Sequence, residues 1–452
     1  MVCQGKTDGL KQFALRWVGI LLPSLVLILL PVGLLAQEKG RILTLKESIQ
    51  LALDRNLTVR VAKEEVTYAR ERQKETRTGF LPTFSADYNY RRPSETTETF
   101  GGVTFRNQDK NQYRFTGTVA QPLFTGFATL STYQLANMGL DVAKIQLERA
   151  RLDLILQVKQ AYLEIVRTAK LREVAEQSVK QLQEGVRVAT NFVKVGLSPK
   201  ADLLDAETRL AQAELQLIVA TNDLRVARAQ LNTVLREPID ASYEVVDVLT
   251  TEPYKRPYQT SQEIALEHRP ELLEAKKNVT IAEKQITLAK SDYYPDITLS
   301  ANWYRQGDDP AVNGSKFTDR ENWDIVAGAT WTLFEWGKTR YAVNQQRARF
   351  RQAKENFEQV KDSILLEIKT AFLTLKAADE GIRVAQKQVV SAEENFRISR
   401  ERYKEQVATA TEVLDAQTRL TEAKTNYTNA LVAYNLAQYR LIRAMGLEED
   451  TM

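Results

Sequence analysis

From Leu130 to Val193 apolar or small residues recur three or four apart, through Leu135, Met138, Val142, Ile145, Leu152, Ile155, Tyr162, Ile165, Val174, Leu182, Val186 and Ala189, with no proline. That spacing is helical and runs far beyond an ordinary globular helix. Its residues 130–193 would span about 96 Å at 1.5 Å per residue. The pattern returns from Lys338 to Arg402, through Val343, Phe350, Phe357, Ile364, Phe372, Leu375, Ile382, Val389 and Phe396. A short break ends each run, at Val195-Gly196-Leu197-Ser198-Pro199 and at Gln406-Val407-Ala408-Thr409. Alanine-rich return helices follow over 202–236 and 412–445. Two antiparallel helical hairpins result, with alanine on the seams allowing close packing.

Between the helices the period changes from about four to two. Phe84–Arg91 places Phe, Ala, Tyr and Tyr on one face and Ser, Asp, Asn and Arg on the other. Tyr113–Val119, Ile297–Trp303 and Trp323–Trp331 alternate in the same way. Each segment is long enough for a tilted strand to cross a bilayer. Aromatics gather at their ends: Tyr90, Tyr113, Trp303 and Trp323 beside the loops, Phe84 and Trp331 toward the helices. That placement is expected of the two aromatic girdles of an outer-membrane barrel. The intervening loops, Pro93–Asn111 and Gln306–Asn322, are polar and contain glycine, as extracellular loops do.

The chain is also a tandem repeat. Ala201-Asp202-Leu203-Leu204-Asp205-Ala206-Glu207-Thr208-Arg209-Leu210 returns as Thr411-Glu412-Val413-Leu414-Asp415-Ala416-Gln417-Thr418-Arg419-Leu420, a shift of 210. A unit this long exceeds a solenoid period of roughly 20–50 residues and is one large module present twice. The first copy is expected over 37–240, with strands at 82–92 and 112–121 and helices at 130–193 and 202–236. The second is expected over 261–452, with strands at 296–305 and 322–332 and helices at 338–402 and 412–445. A proline-spotted linker over 241–260 joins them.

Residues 1–36 change the compartment. Lys6, Lys11 and Arg16 precede an apolar run from Trp17 to Leu35, and Ala36-Gln37 offers a cleavage junction, which reads as a signal peptide. The run nearly reaches the length of a membrane anchor, but Pro23 and Pro31 interrupt it; either way the chain is exported. Cys3, the only cysteine, lies in that segment, so the mature chain has no disulfide, thiol nucleophile or cysteine metal site. Gln37 after the junction also excludes an acylated lipoprotein. Cleavage removes three basic residues and one acidic, lowering the net charge from +4 to +2, which gives no case for nucleic acid. His268, the single histidine, stands among charged residues and reads as a solvated side chain. With no phosphate loop, catalytic triad or metal spacing, neither an enzyme nor a cofactor is expected.

Four strands cannot close a barrel, and an open sheet edge cannot exist in hydrocarbon. Insertion therefore requires oligomerisation. A dimer would make eight strands, an interior that side chains fill; a trimer would make twelve and a wider lumen. The polar inward faces favour the trimer.

The chain resembles the TolC-type outer membrane efflux proteins over nearly its whole mature length, Leu45 to Gly446. The resemblance rests on the tandem repeat, on Leu81-Pro82 and Tyr294-Pro295 before strands, and on Leu123-Phe124-Thr125-Gly126 and Leu333-Phe334-Glu335-Trp336-Gly337 after them. The hairpin tips complete it. It implies a mixed fold, with four transmembrane strands per chain forming a 12-stranded barrel as a homotrimer above a periplasmic barrel of helical hairpins. A mixed belt midway would include Leu45–Asn56 and Pro238–Glu267. The implied partners are outer-membrane lipids, a periplasmic adapter and an inner-membrane transporter of RND, ABC or MFS type, exporting drugs, metals or proteins. The tips Val195, Gly196, Leu197, Ser198, Gln406, Val407, Ala408 and Thr409 would dock the adapter.

By motif position the resemblance places Asp202, Tyr403, Glu412 and Asp415 at the periplasmic constriction. Three copies would ring a narrow mouth with carboxylates, favouring cations and raising acidic pKa values by like-charge repulsion. Equally, an acidic residue just inside a helix start can simply cap it and complement its dipole. The sequence departs from the family pattern at Glu412, where aspartate is usual, and at Ala408, where the best-known members carry a gating arginine. A tyrosine–arginine–aspartate latch therefore does not carry over. The competing classes are a periplasmic coiled-coil adapter or rod, which would have one hairpin threaded through a β domain, and a barrel adhesin, for which the loops are short.

Overall fold

The computed structural model describes residues 41–95 and 97–449; the signal peptide expected over 1–36 lies outside them. In chain order the elements are β1 (Arg41–Leu43), α1 (Leu45–Arg55), α2 (Leu57–Thr78), β2 (Thr83–Arg91), β3 (Thr97–Phe100), β4 (Val103–Arg106), β5 (Gln112–Thr125) and α3 (Ala128–Lys194). Then come α4 (Lys200–Leu235), β6 (Tyr243–Val245), α5 (Tyr258–His268), α6 (Pro270–Ala289), β7 (Asp296–Gly307), β8 (Glu321–Thr330), α7 (Lys338–Lys404) and α8 (Ala410–Ala444). Helices dominate, and among the described residues no helix is long and apolar enough to cross a membrane.

That sheet is antiparallel, in the order β2-β5-β7-β8, so the two copies meet at β5 and β7. β5 continues to Thr125, past the 112–121 expected, and runs through Pro122. Proline is tolerated there because β2 stops pairing at Thr83↔Ala120, leaving one neighbour, and a bulge between Pro122 and Phe124 relieves the ladder. The first loop holds a hairpin, β3–β4, that periodicity did not predict; Gly101 and Gly102 at φ +59° and +81° make its turn. Asp109 is buried beneath the second loop, accepting hydrogen bonds from the Ser315 and Thr318 hydroxyls.

Each strand turns into its long helix through two successive left-handed residues. Gly126 and Phe127 (φ 57° and 70°) do this in the first copy, Trp336 and Gly337 (φ 56° and 81°) in the second. One glycine of each pair removes the steric cost at its position, and the two copies place it differently. α3 and α7 have 67 residues each, about 100 Å at the helical rise. The return helices α4 and α8 pack along them, and α2 and α6 lie against the strand-proximal ends of α3 and α7.

Midway along α3 the buried side chains broaden into a core of Leu154, Val158, Tyr162, Ile165, Leu231 and Leu235. A second cluster holds Ile364, Ile368, Leu375, Tyr434 and Leu441. Tyr162 fastens a mixed belt to the first. Its hydroxyl donates to the Leu43 carbonyl (2.9 Å) and accepts the Val246 amide (2.9 Å), so β1 and the segment after β6 are held on α3. β1 and β6 pair in parallel, and α1 starts with a capping box in which Thr44 and Glu47 satisfy each other's amides. The linker is pinned to α8: Asn435 Nδ2 donates to the Thr250 carbonyl (3.0 Å), and Tyr434 donates to that of Glu252 (2.5 Å).

A polar knot joins the copies at the same level. Arg443 of α8 donates to Asp153 of α3 (Nε, 2.8 Å) and to Glu271 of α6 (Nη2, 2.7 Å). Arg269 donates to Glu271 (2.9 Å), to Glu367 (2.6 Å) and to the Ala444 carbonyl (3.1 Å). Both arginines are buried. Burial by itself would raise the Glu271 pKa, but hydrogen bonds and charge from Arg443 and Arg269 outweigh it and hold the group at about 2. The ionised carboxylate therefore stabilises the fold above its ordinary value of 4.5, and that contribution is lost as pH falls toward about 2. Glu271→Ala leaves two buried guanidiniums short of a partner and should cost about 3–5 kcal/mol at pH 7. Loss of helical circular dichroism on heating should come earlier in the variant at neutral pH, with the difference from wild type shrinking below pH 4.5. Identical melting at pH 7 would show the knot to be dispensable.

Candidate functional site

The four-stranded sheet has one polar and one apolar face, and its register decides which side chains share a row. Ser85, Thr118, Asn302 and Asp324 stand side by side. Thr118 donates to Asn302 and Asn302 to Asp324, both at 2.8 Å, so the row is a hydrogen-bonded ladder. Nearer the loops Arg114 donates to Gln306 (3.0 Å) and lies over the Tyr304 ring (5.5 Å). Three copies of this face would line a lumen with polar groups.

On the opposite face Tyr90 stands beside Tyr113, their rings 4.8 Å apart, at the loop end. Trp303 and Trp323 are direct neighbours two rows further in, and Trp303 meets Phe115 edge-on at 6.0 Å. Phe84 shares its row with Val119, Ala301 and Ile325, immediately next to the tryptophan row. At the helix-side start of β2 it thus lies only one row from the tryptophans, a nearness that residue count along the strand concealed. Trp331 lies just past β8, and its indole donates to the Tyr293 carbonyl (3.1 Å). The aromatic cluster beside the helices is built from residues that the alternation did not assign to a girdle. Phe124, Phe127 and Tyr294 meet edge-on with centroids 5.2–6.4 Å apart. Their prior signals were the strand-flanking motifs Leu123-Phe124-Thr125-Gly126 and Tyr294-Pro295.

At the far end of the helices the two tips share one geometry. Gly196 (φ +77°) and Gln406 (φ +59°) occupy equivalent left-handed positions after α3 and α7. The Leu197 amide reaches back to the Phe192 carbonyl and the Val407 amide to that of Arg402, both at 2.9 Å, which closes each helix end. Val195, Leu197 and Val407 are left exposed at the turns. Ser198 donates to Asp202 (2.5 Å), and Thr409 caps α8 by accepting the Glu412 amide (3.3 Å). Ala408 is half-buried between them.

The constriction residues expected from the sequence fall within a turn or two of these tips, and two contacts tie the hairpins together there. Tyr403 stacks on Phe192 at 5.4 Å. Its hydroxyl is buried and makes no hydrogen bond among the described residues. Burial, and then the charge of Asp202, raise its pKa. The second tie is an ion pair between Arg209 of α4 and Asp415 of α8 (3.4 Å). Glu412 faces Arg402 of its own hairpin (3.6 Å). Of the expected carboxylates, Glu412 and Asp415 each face an arginine, and Asp202 makes no ion pair among the described residues. Arg209 and Arg402 were missed at the sequence level; Arg209 was visible only as part of the repeated Thr-Arg-Leu triplet.

Comparison with known proteins agrees with this architecture. The model of the family described as outer membrane efflux protein matches residues 48–235 and again 262–447. The alkaline protease secretion protein AprF of Pseudomonas aeruginosa is 24% identical over 331 residues, covering 71% of this chain and 67% of that protein. The outer membrane efflux protein BepC of Brucella suis is 25% identical over 249 residues, covering 53% and 52%. A crystal structure of CusC superposes with a TM-score of 0.80 over 89% of this chain and 92% of that one; at 18% identity this shows a shared fold. Both halves of the tandem repeat are matched by one model, which displaces the adapter and rod readings: the chain belongs to the outer membrane efflux protein family.

Proposed function

We propose that the protein is the passive exit duct of a tripartite efflux or type I secretion system, assembled as a homotrimer. The observation that carries the reading is the open sheet with two faces. Its edges β2 and β8 have no partner among the described residues, and β2 is exposed along its whole length. In hydrocarbon those edges demand closure, and three chains supply twelve strands with the polar ladders turned to water. The helices, about 100 Å long, reach across the periplasm toward an adapter and an inner-membrane transporter of RND, ABC or MFS type. The duct itself carries out no chemical step. The names of AprF and BepC span protease secretion and efflux, so either cargo class suits the reading. The mature protein should require detergent for extraction and should size as a trimer by light scattering. A water-soluble monomer would overturn the duct.

The tips are the proposed adapter surface, because Val195, Leu197 and Val407 present apolar side chains at turns whose backbone is already satisfied. Gly196 is a poor probe, since any side chain strains its left-handed backbone. Leu197→Arg and Val407→Arg should each abolish most export while trimer level and insertion stay at wild type. Undiminished export at matched expression would sink the assignment.

Asp202, Tyr403, Glu412 and Asp415 are the proposed constriction. Because Glu412 and Asp415 are paired with Arg402 and Arg209, removing them does more than delete negative charge: it frees two cations per chain. In planar bilayers the open channel should prefer cations, and Glu412→Ala with Asp415→Ala should turn that preference toward anions. Unchanged selectivity would mean that the two residues only cap and charge a helix start.

A further inference from the structure

The two copies are related by one operation, visible to the residue. Segments before the loop match at a shift of 213 (Leu81-Pro82 with Tyr294-Pro295) and those after it at 210. The structure obeys both shifts together. Thr83↔Ala120 in β2–β5 becomes Asp296↔Thr330 in β7–β8, and Arg91↔Gln112 becomes Tyr304↔Asn322. The copies also meet each other, through β5 on β7, α3 on α8, and Arg209 on Asp415. Applied once more, the same operation brings β8 against a β2, α7 against an α4, and Arg419 against an Asp205. Among the described residues β8 does not pair with β2, and Arg419 makes no ion pair with Asp205.

We propose that the seam between chains reproduces the seam between halves, residue for residue. The pairs Ala120↔Ser300 and Val119↔Ala301 then place Thr330 opposite Asp87 of the next chain and Ala329 opposite Tyr88 of the next chain. Arg419 pairs with Asp205 of the next chain, so three ion pairs between chains alternate with the three Arg209–Asp415 pairs inside them. The inference rests on the trimeric reading and specifies its register.

Three independent observations agree with it. The register keeps both faces of the sheet continuous: Ala329 and Tyr88 both lie on the apolar face and Thr330 and Asp87 on the polar one. Asp205 and Arg419 are exposed and form no ion pair among the described residues, although their repeat equivalents, Asp415 and Arg209, pair with each other. The helices carry the same asymmetry. Leu163 of α3 is 1% exposed and Leu414 of α8 is 8%, whereas their equivalents Leu373 of α7 and Leu204 of α4 are 52% and 51% exposed. Those two leucines sit on the helices that the operation brings together. The operation weakens only at the corner, where Gly126 lies against the Ser291 carbonyl and Trp336 stands at the equivalent place, so the register applies to the strands above it.

Cysteine cross-linking tests the register directly, because Cys3 is the only native cysteine and can be changed to serine. Opposed residues on antiparallel neighbours have Cα atoms about 4.5–5.5 Å apart, inside the range of a disulfide. Ala329→Cys with Tyr88→Cys should yield covalent dimers and trimers on mild oxidation. Ala329→Cys with Phe84→Cys, on the same face but four residues out of register, should yield roughly tenfold less. Outside the membrane, Asp205→Arg and Arg419→Asp should each lower the temperature at which the trimer dissociates, and the double reversal should restore it. Stronger linking by the Phe84 pair, or a double reversal no better than the worse single one, would overturn the seam while a trimer by light scattering left the duct standing. A monomer would overturn both.

Discussion

Backbone hydrogen bonding in hydrocarbon governs this molecule. Every amide and carbonyl of a membrane strand must find a partner within protein, since lipid offers none. The membrane sheet has four strands with two edges unpaired among the described residues, and the proposed trimer is what would close them. That single requirement accounts for the exposure of β2 and β8, for the division of the sheet into a polar ladder and an apolar band, and for an aromatic surface that would be hazardous on a soluble protein.

The helical part answers a different demand. Helices of 67 residues cannot be stabilised by propensity at one end and need support along their length. Support comes from return helices with small residues on the seam, from α2 and α6 near the sheet, and from the belt at mid-height. The belt combines apolar clusters with Tyr162 as a two-way hydrogen-bonding rivet. The Glu271 knot adds polar contacts between the copies that hydrophobic packing would not direct. A buried arginine accepts few alternative positions, so such a knot sets the relative placement of α3, α6 and α8 as much as it stabilises them.

At the tips, charge pairing changes the electrostatic picture. Six bare carboxylates around an axis would repel strongly; carboxylates paired with arginines at 3.4–3.6 Å do so much less. The pairs also differ in what they join. Glu412–Arg402 closes a turn within one hairpin, whereas Arg209–Asp415 and the Phe192–Tyr403 stack cross from one hairpin to the other. Relative movement of the hairpins would break the second kind and spare the first. Ala408 contributes to neither; the cations in these pairs are Arg402 in the last turn of α7 and Arg209 within α4.

Much of this protein was legible in its sequence, for a physical reason: its elements are long, and periodicity accumulates with length. Sixty residues at a spacing of three to four leave no choice but helix, and alternation in four segments paired by a tandem repeat points to strands. The first break was legible because Gly196 and Pro199 interrupt that period. Shorter features escaped. The β3–β4 hairpin is too brief to show a period, and the Phe124–Phe127–Tyr294 cluster joins residues from distant segments. Which carboxylate meets which arginine, and in which row Phe84 stands, depend on register and on how two hairpins lie against each other. Those are choices of packing and strand pairing, spanning as much as 206 residues for Arg209 and Asp415, and only the tertiary structure decides them.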